Sequence, residues 1–249
     1  MCGKQVSLRY GSWFNSSRLT IEEIFLLTFE IVIGTRTWEI KEQYFFGNST
    51  LSDWRQFINE RILEYVEENS EKIGGVGKIV EVDESKFGKR KYNRGHRVEG
   101  QWVFGGVERG SGRTFLVAVH DRKAETLVSC IKQWIEPGTI IYSDYWKAYD
   151  SLGEEGYEHL KANHSLHFLQ PANLANGIPA IHTNTVESLW NIVKNTLPIY
   201  NWQGDFKFYL AMFLFERSCR DKKVHVFNKF LEIIRDIPWE EYSIKVSDK

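Results

Sequence analysis

Cysteine is scarce in this sequence, which has three in 249 residues: Cys2, Cys130 and Cys219. They are too few and too widely spaced to form a disulfide framework or a zinc ribbon. Such sparse use of cysteine is typical of a reducing compartment, so we expect an intracellular protein.

Neither an excess of charge nor a long hydrophobic run is present. The formal net charge is -1 at pH 7, and it neither supports nor excludes a nucleic-acid partner because local patches decide binding. The longest apolar run, "IFLLTFEIVI" from Ile24, is interrupted by Glu30 and is shorter than the about 20 residues that span a bilayer. It also lacks the flanks of a secretory signal, so we expect no membrane partner.

Residues 17–72 carry a helical pattern, opened by a capping box of Thr20 and Glu23. "TRTWEIKEQYFF", the turn residues "GNS" and "TLSDWRQFINERILEYVEEN" then give the helix, short turn and helix outline of a helix-turn-helix. We predict a small all-helical, helix-turn-helix-like DNA-binding region over residues 1–76. The segment carries more acid than base, so a helical packing domain remains the alternative.

After the glycine-rich boundary "EKIGGVGK", short apolar strands alternate with helices. Strands are predicted for "KIVEVDESKF", "QWVFGGVER", "RTFLVAVHD", "GTIIYSDYW" and "YEHLKANHSLHFL". Helices are predicted for "RKAETLVSCIKQWIE", "HTNTVESLWNIVKN", "DFKFYLAMFLFERSCR" and "VHVFNKFLEIIRDI". This order predicts an α/β domain over residues 77–249, with a mixed sheet flanked by helices.

Asp83 and Asp144 occupy matching positions, each at the end of an apolar strand. Functional sites of open α/β sheets form at the carboxyl ends of parallel strands, so two parallel neighbours would bring both carboxylates into one crevice. Carboxylates held together repel, and at neutral pH they share a proton or bind a cation. Mg²⁺ suits them because it prefers oxygen ligands.

Glu187 is the candidate for a third acid, on a helix with an apolar stripe that consists of Val186, Leu189, Trp190, Val193 and Leu197. Beside that stripe, Glu187, Asn191 and Lys194 form a polar row one turn apart. Three carboxylates that hold two metal ions are typical of in-line attack on a phosphodiester. Lys194 would then hold a phosphate that enters the metal site.

The polar row also has a structural explanation. Asn184 and Glu187 have the spacing of an N-cap and its capping glutamate. Asn191 and Lys194 can simply form a solvated edge of the helix.

Asp83 and Asp144 also have an interpretation other than a metal site. Aspartate is favoured in turns, so both can be turn residues at the ends of their strands. Asp121 also ends a strand, but its position indicates the N-cap of a helix that starts near Arg122, so we leave it out of the site. Glu81 shares a face with Asp83 and is the better candidate for an accessory acid.

A basic stretch, "KFGKRKYNRGHR", begins three residues after Asp83 and contains no acid. A loop of this kind beside the acids would steer and grip a phosphate backbone. A nuclear-import signal and a solvated hairpin are the alternatives. The candidate DNA contacts of this stretch are Lys86, Lys89, Arg90, Lys91, Arg94 and Arg97.

Four separated motifs, in order, resemble the catalytic domain of ISXO-type insertion-sequence transposases and the related Merlin transposases. They are the stretch from "VDESKFGKRKYNRGHR" to "GRTFLVAV", "IYSDYWKAYDSL", "NHSLHF" and "HTNTVESLWNIVK", and the resemblance covers about residues 77–200. It implies an RNase H-like fold with a DDE triad, which falls on Asp83, Asp144 and Glu187. Lys194 falls on a DNA-contact position.

The resemblance further implies two Mg²⁺ or Mn²⁺ ions, cleavage at transposon ends and strand transfer into target DNA, by a homo-oligomer on DNA. It also implies an N-terminal zinc ribbon, of which "MCGK" matches only the last cysteine, so the ribbon is expected to be missing. We expect localisation in the nucleus for a eukaryotic host and in the cytoplasm or nucleoid for a bacterial one. A metal-dependent nuclease and a domesticated, non-catalytic DNA-binding or interaction protein are the rival interpretations.

Overall fold

The computed structural model describes residues 7–15, 17–88, 100–144, 147–162, 181–197, 205–237 and 239. Its helices are α1 (Ile21–Val32), α2 (Thr37–Tyr44), α3 (Asn48–Asn69), α4 (Ala124–Trp134), α5 (Asn184–Thr196), α6 (Phe206–Asp221) and α7 (Val226–Arg235). Its strands are β1 (Ile73–Gly74), β2 (Ile79–Lys86), β3 (Trp102–Glu108), β4 (Thr114–Val119), β5 (Ile135–Glu136), β6 (Ile140–Ser143) and β7 (Glu158–Lys161). A 3₁₀ helix spans Lys147–Gly153. No helix among these residues has both the length and the apolarity that a membrane span needs.

The chain contacts divide into two compact units, and the first combines Met1–Asn69 with Phe215–Lys249. The predicted capping box opens α1: the Glu23 backbone N–H donates to the Thr20 hydroxyl, and the Thr20 backbone N–H donates to the Glu23 carboxylate. This hydrogen bonding fixes the start of the helix.

Aromatic rings fill the core of the first unit. Trp13 stacks on Phe57 with ring centroids 4.4 Å apart and meets the edge of Phe230 at 5.5 Å. Phe227 of α7 packs against Phe25 and Phe29 of α1. These contacts explain why the C-terminal segment groups with the N-terminal helices. The sequence-based division instead placed all of residues 77–249 in one domain.

The second unit, Ser70–Leu214, is built on a five-stranded mixed sheet with the order β4-β3-β2-β6-β7. β2, β3 and β4 are antiparallel neighbours, whereas β2–β6 and β6–β7 are parallel. The α/β pattern predicted from the sequence is confirmed, and three antiparallel strands followed by two parallel ones give an RNase H-like sheet. β1 and β5 form a separate parallel pair.

The two faces of the sheet are covered by different apolar clusters. Val80 and Val82 of β2 belong to the cluster that contains α4, whereas Phe87 belongs to the cluster that contains α5. Because side chains alternate along a strand, Asp83 lies on the α5 face and Glu84 on the α4 face. The predicted apolar stripe of α5 is confirmed: Val186, Leu189, Trp190, Val193 and Leu197 are all buried.

Candidate active site

The structure places the three predicted acids on elements that meet beside β2. Asp83 lies within β2, Asp144 follows β6 directly, and Glu187 lies in the first turn of α5. β2 and β6 are parallel neighbours, as the prediction required. Asp83 and Asp144 are half-buried, while Glu187 is exposed on the polar side of its helix.

The electrostatics of Asp83 show that the three acids share one environment. The pKa of the Asp83 carboxyl is raised to about 6, mostly by burial and in smaller part by the negative charges of Asp144 and Glu187. A hydrogen bond from the Glu84 backbone and one from the Trp190 indole act in the opposite direction. Such repulsion between carboxylates is relieved by a proton or a cation.

Glu84 is a fourth acid near this site. The pKa of Glu84 is raised to about 7, mostly by burial and in smaller part by the charges of Asp83 and Asp144. The Tyr149 hydroxyl donates a short hydrogen bond to the Glu84 carboxylate. Sequence analysis did not select Glu84, because alternation places it on the opposite face of β2 from Asp83.

Trp190 connects α5 to Asp83. Its indole N–H donates to Oδ2 of Asp83 at 3.0 Å. Gly105 lies opposite Asp83 on β3, and a Cβ there would come within 3.0 Å of the Trp190 ring and 2.8 Å of Leu116. Glycine is therefore required at position 105, because the Trp190 indole that bonds Asp83 packs directly on β3 there.

A methyl group at this position tests that packing. Gly105→Ala should lower the free energy of unfolding by about 1–3 kcal/mol, since overpacking displaces the Trp190 ring. Gly106→Ala is the matched control, because its Cβ would meet Phe115 at 2.4 Å on the other face of the sheet. Both variants should lose stability in denaturant titrations, but only Gly105→Ala should change the pKa of Asp83 in an NMR titration. Equal pKa values in the two variants would contradict the packing argument.

The sequence indicated that Glu81 is an accessory acid of the site, but in the structure it has a different role. Its side chain is fully buried, and its oxygens accept hydrogen bonds from the Arg109 guanidinium at 2.5 Å and from the backbone N–H groups of Thr185 at 2.8 Å and Val186 at 3.0 Å. A carboxylate with these partners is committed to holding the start of α5. Glu81 does lie on the same face as Asp83, as alternation predicted.

The capping explanation for Glu187 does not match the helix start. The N-cap of α5 is Thr183 rather than Asn184, and no side-chain cap hydrogen bond is made there. The backbone N–H groups of Thr185 and Val186 donate instead to Glu81, and that of Asn184 donates to Nδ1 of His182. The Glu187 carboxylate accepts a hydrogen bond from the Thr183 hydroxyl at 3.1 Å.

Asp121 behaves as a local structural residue. Its Oδ1 accepts hydrogen bonds from the Lys123 backbone at 3.0 Å and the Thr126 hydroxyl at 2.7 Å. These bonds lower the pKa of Asp121 to about 2. The sequence predicted that Asp121 is the N-cap of α4, but the N-cap is Lys123, two residues later.

Only some of the predicted DNA contacts fall on described residues. Lys86 is exposed at the end of β2, Asn191 is exposed, and Lys194 is half-buried on α5, in the same polar row as Glu187. Lys89, Arg90, Lys91, Arg94 and Arg97 lie outside the described residues.

An aromatic side chain links Lys86 to a cation that sequence analysis missed. The Lys86 ammonium lies 5.3 Å from the Trp102 ring, and the Arg122 guanidinium lies 4.1 Å from the same ring. The Arg122 charge also opposes the raised pKa of Glu84, so it lies near the acids.

The donor set consists of carboxylates, which are the ligands that Mg²⁺ prefers. The pKa of the half-buried Asp83 is raised by burial and by two neighbouring acids, and a divalent cation relieves this penalty on its negative charge. Within the part of the chain that the structure describes, no three His, Cys, Asp or Glu side chains are grouped closely enough to hold one ion.

A mixed sheet of this topology, flanked by helices, defines an RNase H-like domain. The chain belongs to the family of ISXO2-like transposase domains, whose profile matches residues 72–217. This match confirms the resemblance seen in the sequence motifs.

Individual relatives are more distant. An uncharacterized transposase-like protein of Haemophilus influenzae is 30% identical over 89 residues, which cover 36% of this chain and 66% of the relative. The chain thus spans just under two thirds of that relative. Among solved structures, the catalytic core domain of BIV integrase is 15% identical with a TM-score of 0.37, covering 62% of this chain and 93% of that one. A chain of the simian T-cell lymphotropic virus intasome is 17% identical with a TM-score of 0.35, covering 58% of this chain and 50% of that one.

Proposed function

We propose that this protein is a DNA transposase that cuts DNA at the ends of its element and joins the freed strand to target DNA. Asp83, Asp144 and Glu187 are the proposed catalytic and metal-binding residues. Together these three carboxylates would hold two Mg²⁺ or Mn²⁺ ions. The observation that carries the proposal is that Asp83 lies on β2, Asp144 directly after its parallel neighbour β6 and Glu187 in the first turn of α5, within the segment that matches the transposase family.

The side chains around the acids hold them for this chemistry. Trp190 fixes one oxygen of Asp83, and Thr183 fixes one oxygen of Glu187. When bound, divalent ions neutralise charge at the scissile phosphate and lower the pKa of the attacking hydroxyl. The half-buried position of Asp83 strengthens these electrostatic effects because water screens them less.

The DNA backbone would be held beside the acids by the basic residues. Lys86 lies on β2 three residues after Asp83, and the stretch 89–97 begins three residues after Lys86. Asn191 and Lys194 share the polar row of Glu187 on α5. Residues 1–76 would recognise the transposon ends through their helix-turn-helix-like segment. Cutting and joining two ends of one element requires two active sites, so we propose a homo-oligomer on DNA.

A strand-transfer assay tests the proposal. Labelled duplexes taken from the DNA that flanks the gene are incubated with a supercoiled target plasmid, with Mg²⁺, with Mn²⁺ or with EDTA. Joined products that need the metal support the transposase. Cut but unjoined products would indicate a metal-dependent nuclease, and binding without cutting would indicate a domesticated DNA-binding protein.

A further inference from the structure

Arg109, at the end of β3, lies where three elements of the site meet. Its Nε donates to Oε1 of Glu81 on β2 at 2.5 Å. Its terminal nitrogen donates to the backbone carbonyl of His182 at 2.8 Å and lies 2.9 Å from Nδ1 of that ring. Its guanidinium stacks over the Tyr142 ring of β6 at 4.5 Å. One side chain therefore contacts β2, β6 and the segment that leads into α5.

Each partner of Arg109 lies a few residues before one of the proposed catalytic acids. Glu81 comes two residues before Asp83, Tyr142 two before Asp144, and His182 five before Glu187. A rigid connection among the three partners therefore sets the spacing of the three acids. A guanidinium suits this place because its planar fork donates in several directions and stacks on aromatic rings.

Glu81 extends the connection into α5. Besides Arg109, its carboxylate accepts hydrogen bonds from the Thr185 backbone, the Thr185 hydroxyl and the Val186 backbone, all within 3.0 Å. A carboxylate at a helix N-terminus is also favoured by the helix dipole. The register of α5 against β2 is thus fixed one or two residues before Glu187.

We propose that Arg109 and Glu81 form a positioning pair that holds Asp83, Asp144 and Glu187 at the spacing needed to bind divalent metal. The pair touches neither substrate nor metal, and acts through the backbone of the elements that carry the acids. This inference rests on the proposed function, because it assumes that the three acids bind metal.

The test compares two buried, ion-paired glutamates. Glu81→Gln preserves shape but places an amide N–H against either the Arg109 guanidinium or the α5 N–H groups. Glu108→Gln is the matched control: Glu108 is also buried and pairs with Lys78, and its carboxylate accepts from the Gly74 backbone rather than from α5. Thermal unfolding of the full chain is followed against Mg²⁺ concentration, and strand transfer gives kcat and the KM for DNA.

The Mg²⁺ midpoint is the Mg²⁺ concentration that gives half of the increase in Tm. We expect Glu81→Gln to raise this midpoint by about 10–100-fold, which is the usual effect of changing a residue that orients metal ligands. Its kcat should fall with the KM for DNA unchanged, and high Mg²⁺ should restore part of the rate. Glu108→Gln should lower Tm without altering the Mg²⁺ midpoint.

The outcomes separate the two proposals. An unchanged Mg²⁺ midpoint in Glu81→Gln, or equal midpoints in the two variants, would overturn the positioning role alone. Wild-type protein with no Mg²⁺-dependent Tm increase would overturn both the metal site and the positioning pair.

A second variant covers the case in which Glu81→Gln does not fold. Arg109→Lys retains the positive charge beside Glu81 but loses the fork that reaches His182. We expect a smaller shift of the Mg²⁺ midpoint in the same direction, and no shift would contradict the proposal.

Discussion

Asp144→Asn should abolish strand transfer while the protein remains folded. The substitution preserves the size of the side chain but removes a charge that the proposed metal site needs. Metal ions supply several kcal/mol of transition-state stabilisation, so we expect the rate to fall by at least about 10³-fold. The stability should be retained or increased, since the charge of Asp144 raises the pKa of both Asp83 and Glu84.

The control for this variant is another aspartate in the following segment. Asp150 is exposed and pairs with Lys161, so Asp150→Asn should leave strand transfer within about twofold of wild type. Both rates are measured at saturating Mg²⁺ with circular dichroism as the check on folding. If folded Asp144→Asn retained a tenth or more of the wild-type rate, Asp144 would not belong to the catalytic site.

Asp83→Asn should make the metal-free protein more stable at neutral pH. The folded pKa of Asp83 is about 6 against an ordinary 3.8, so the folded state binds the proton more tightly than the unfolded state. The resulting stability is fully present below pH 3.8 and is lost as the pH rises through about 6. A shift of this size corresponds to at most about 3 kcal/mol, and asparagine imitates the protonated form. Its carbonyl can also accept the Trp190 hydrogen bond.

Denaturant titrations in EDTA between pH 4.5 and 7.5 check this result. The wild-type free energy of unfolding should fall across this range, and the fall should be smaller in Asp83→Asn. Asp121 supplies a control of opposite sign: its pKa is lowered, so its contribution is present at neutral pH and is lost only as the pH falls through about 2. Asp121→Asn should therefore lose stability at pH 7. An Asp83→Asn variant less stable than wild type at pH 7.5 would contradict the raised pKa.

The parts of the fold that follow from local patterns could be predicted from the sequence. The Thr20 and Glu23 capping box, the apolar stripe of α5 and the alternation of β2 depend only on residues within one element. The parallel pairing of β2 with β6 was the condition under which the two aspartates would meet, and the structure shows that pairing. Asp83 lies within β2, however, and not at its end.

The residues that depend on pairing between distant segments could not be predicted. Alternation placed Glu81 beside Asp83, but the ion pair with Arg109 and the hydrogen bonds to α5 join residues 28 to 105 positions apart. Glu84 was passed over because alternation places it on the opposite face from Asp83, and its hydrogen bond with Tyr149 joins segments 65 positions apart. The placement of 215–249 with the N-terminal helices rests on aromatic contacts that no pattern within either segment reveals.

The way in which the two ends of the chain combine has a consequence for synthesis on the ribosome. Ser70–Leu214 is continuous and can fold as soon as it has emerged, whereas Met1–Asn69 is made first but must wait for Phe215–Lys249. Until then, the α1 side chains Phe25 and Phe29 lack the ring of Phe227 that they pack against. Truncation before α7 would remove Phe227 and leave these two rings without that partner, so such a fragment should aggregate more readily than the full chain.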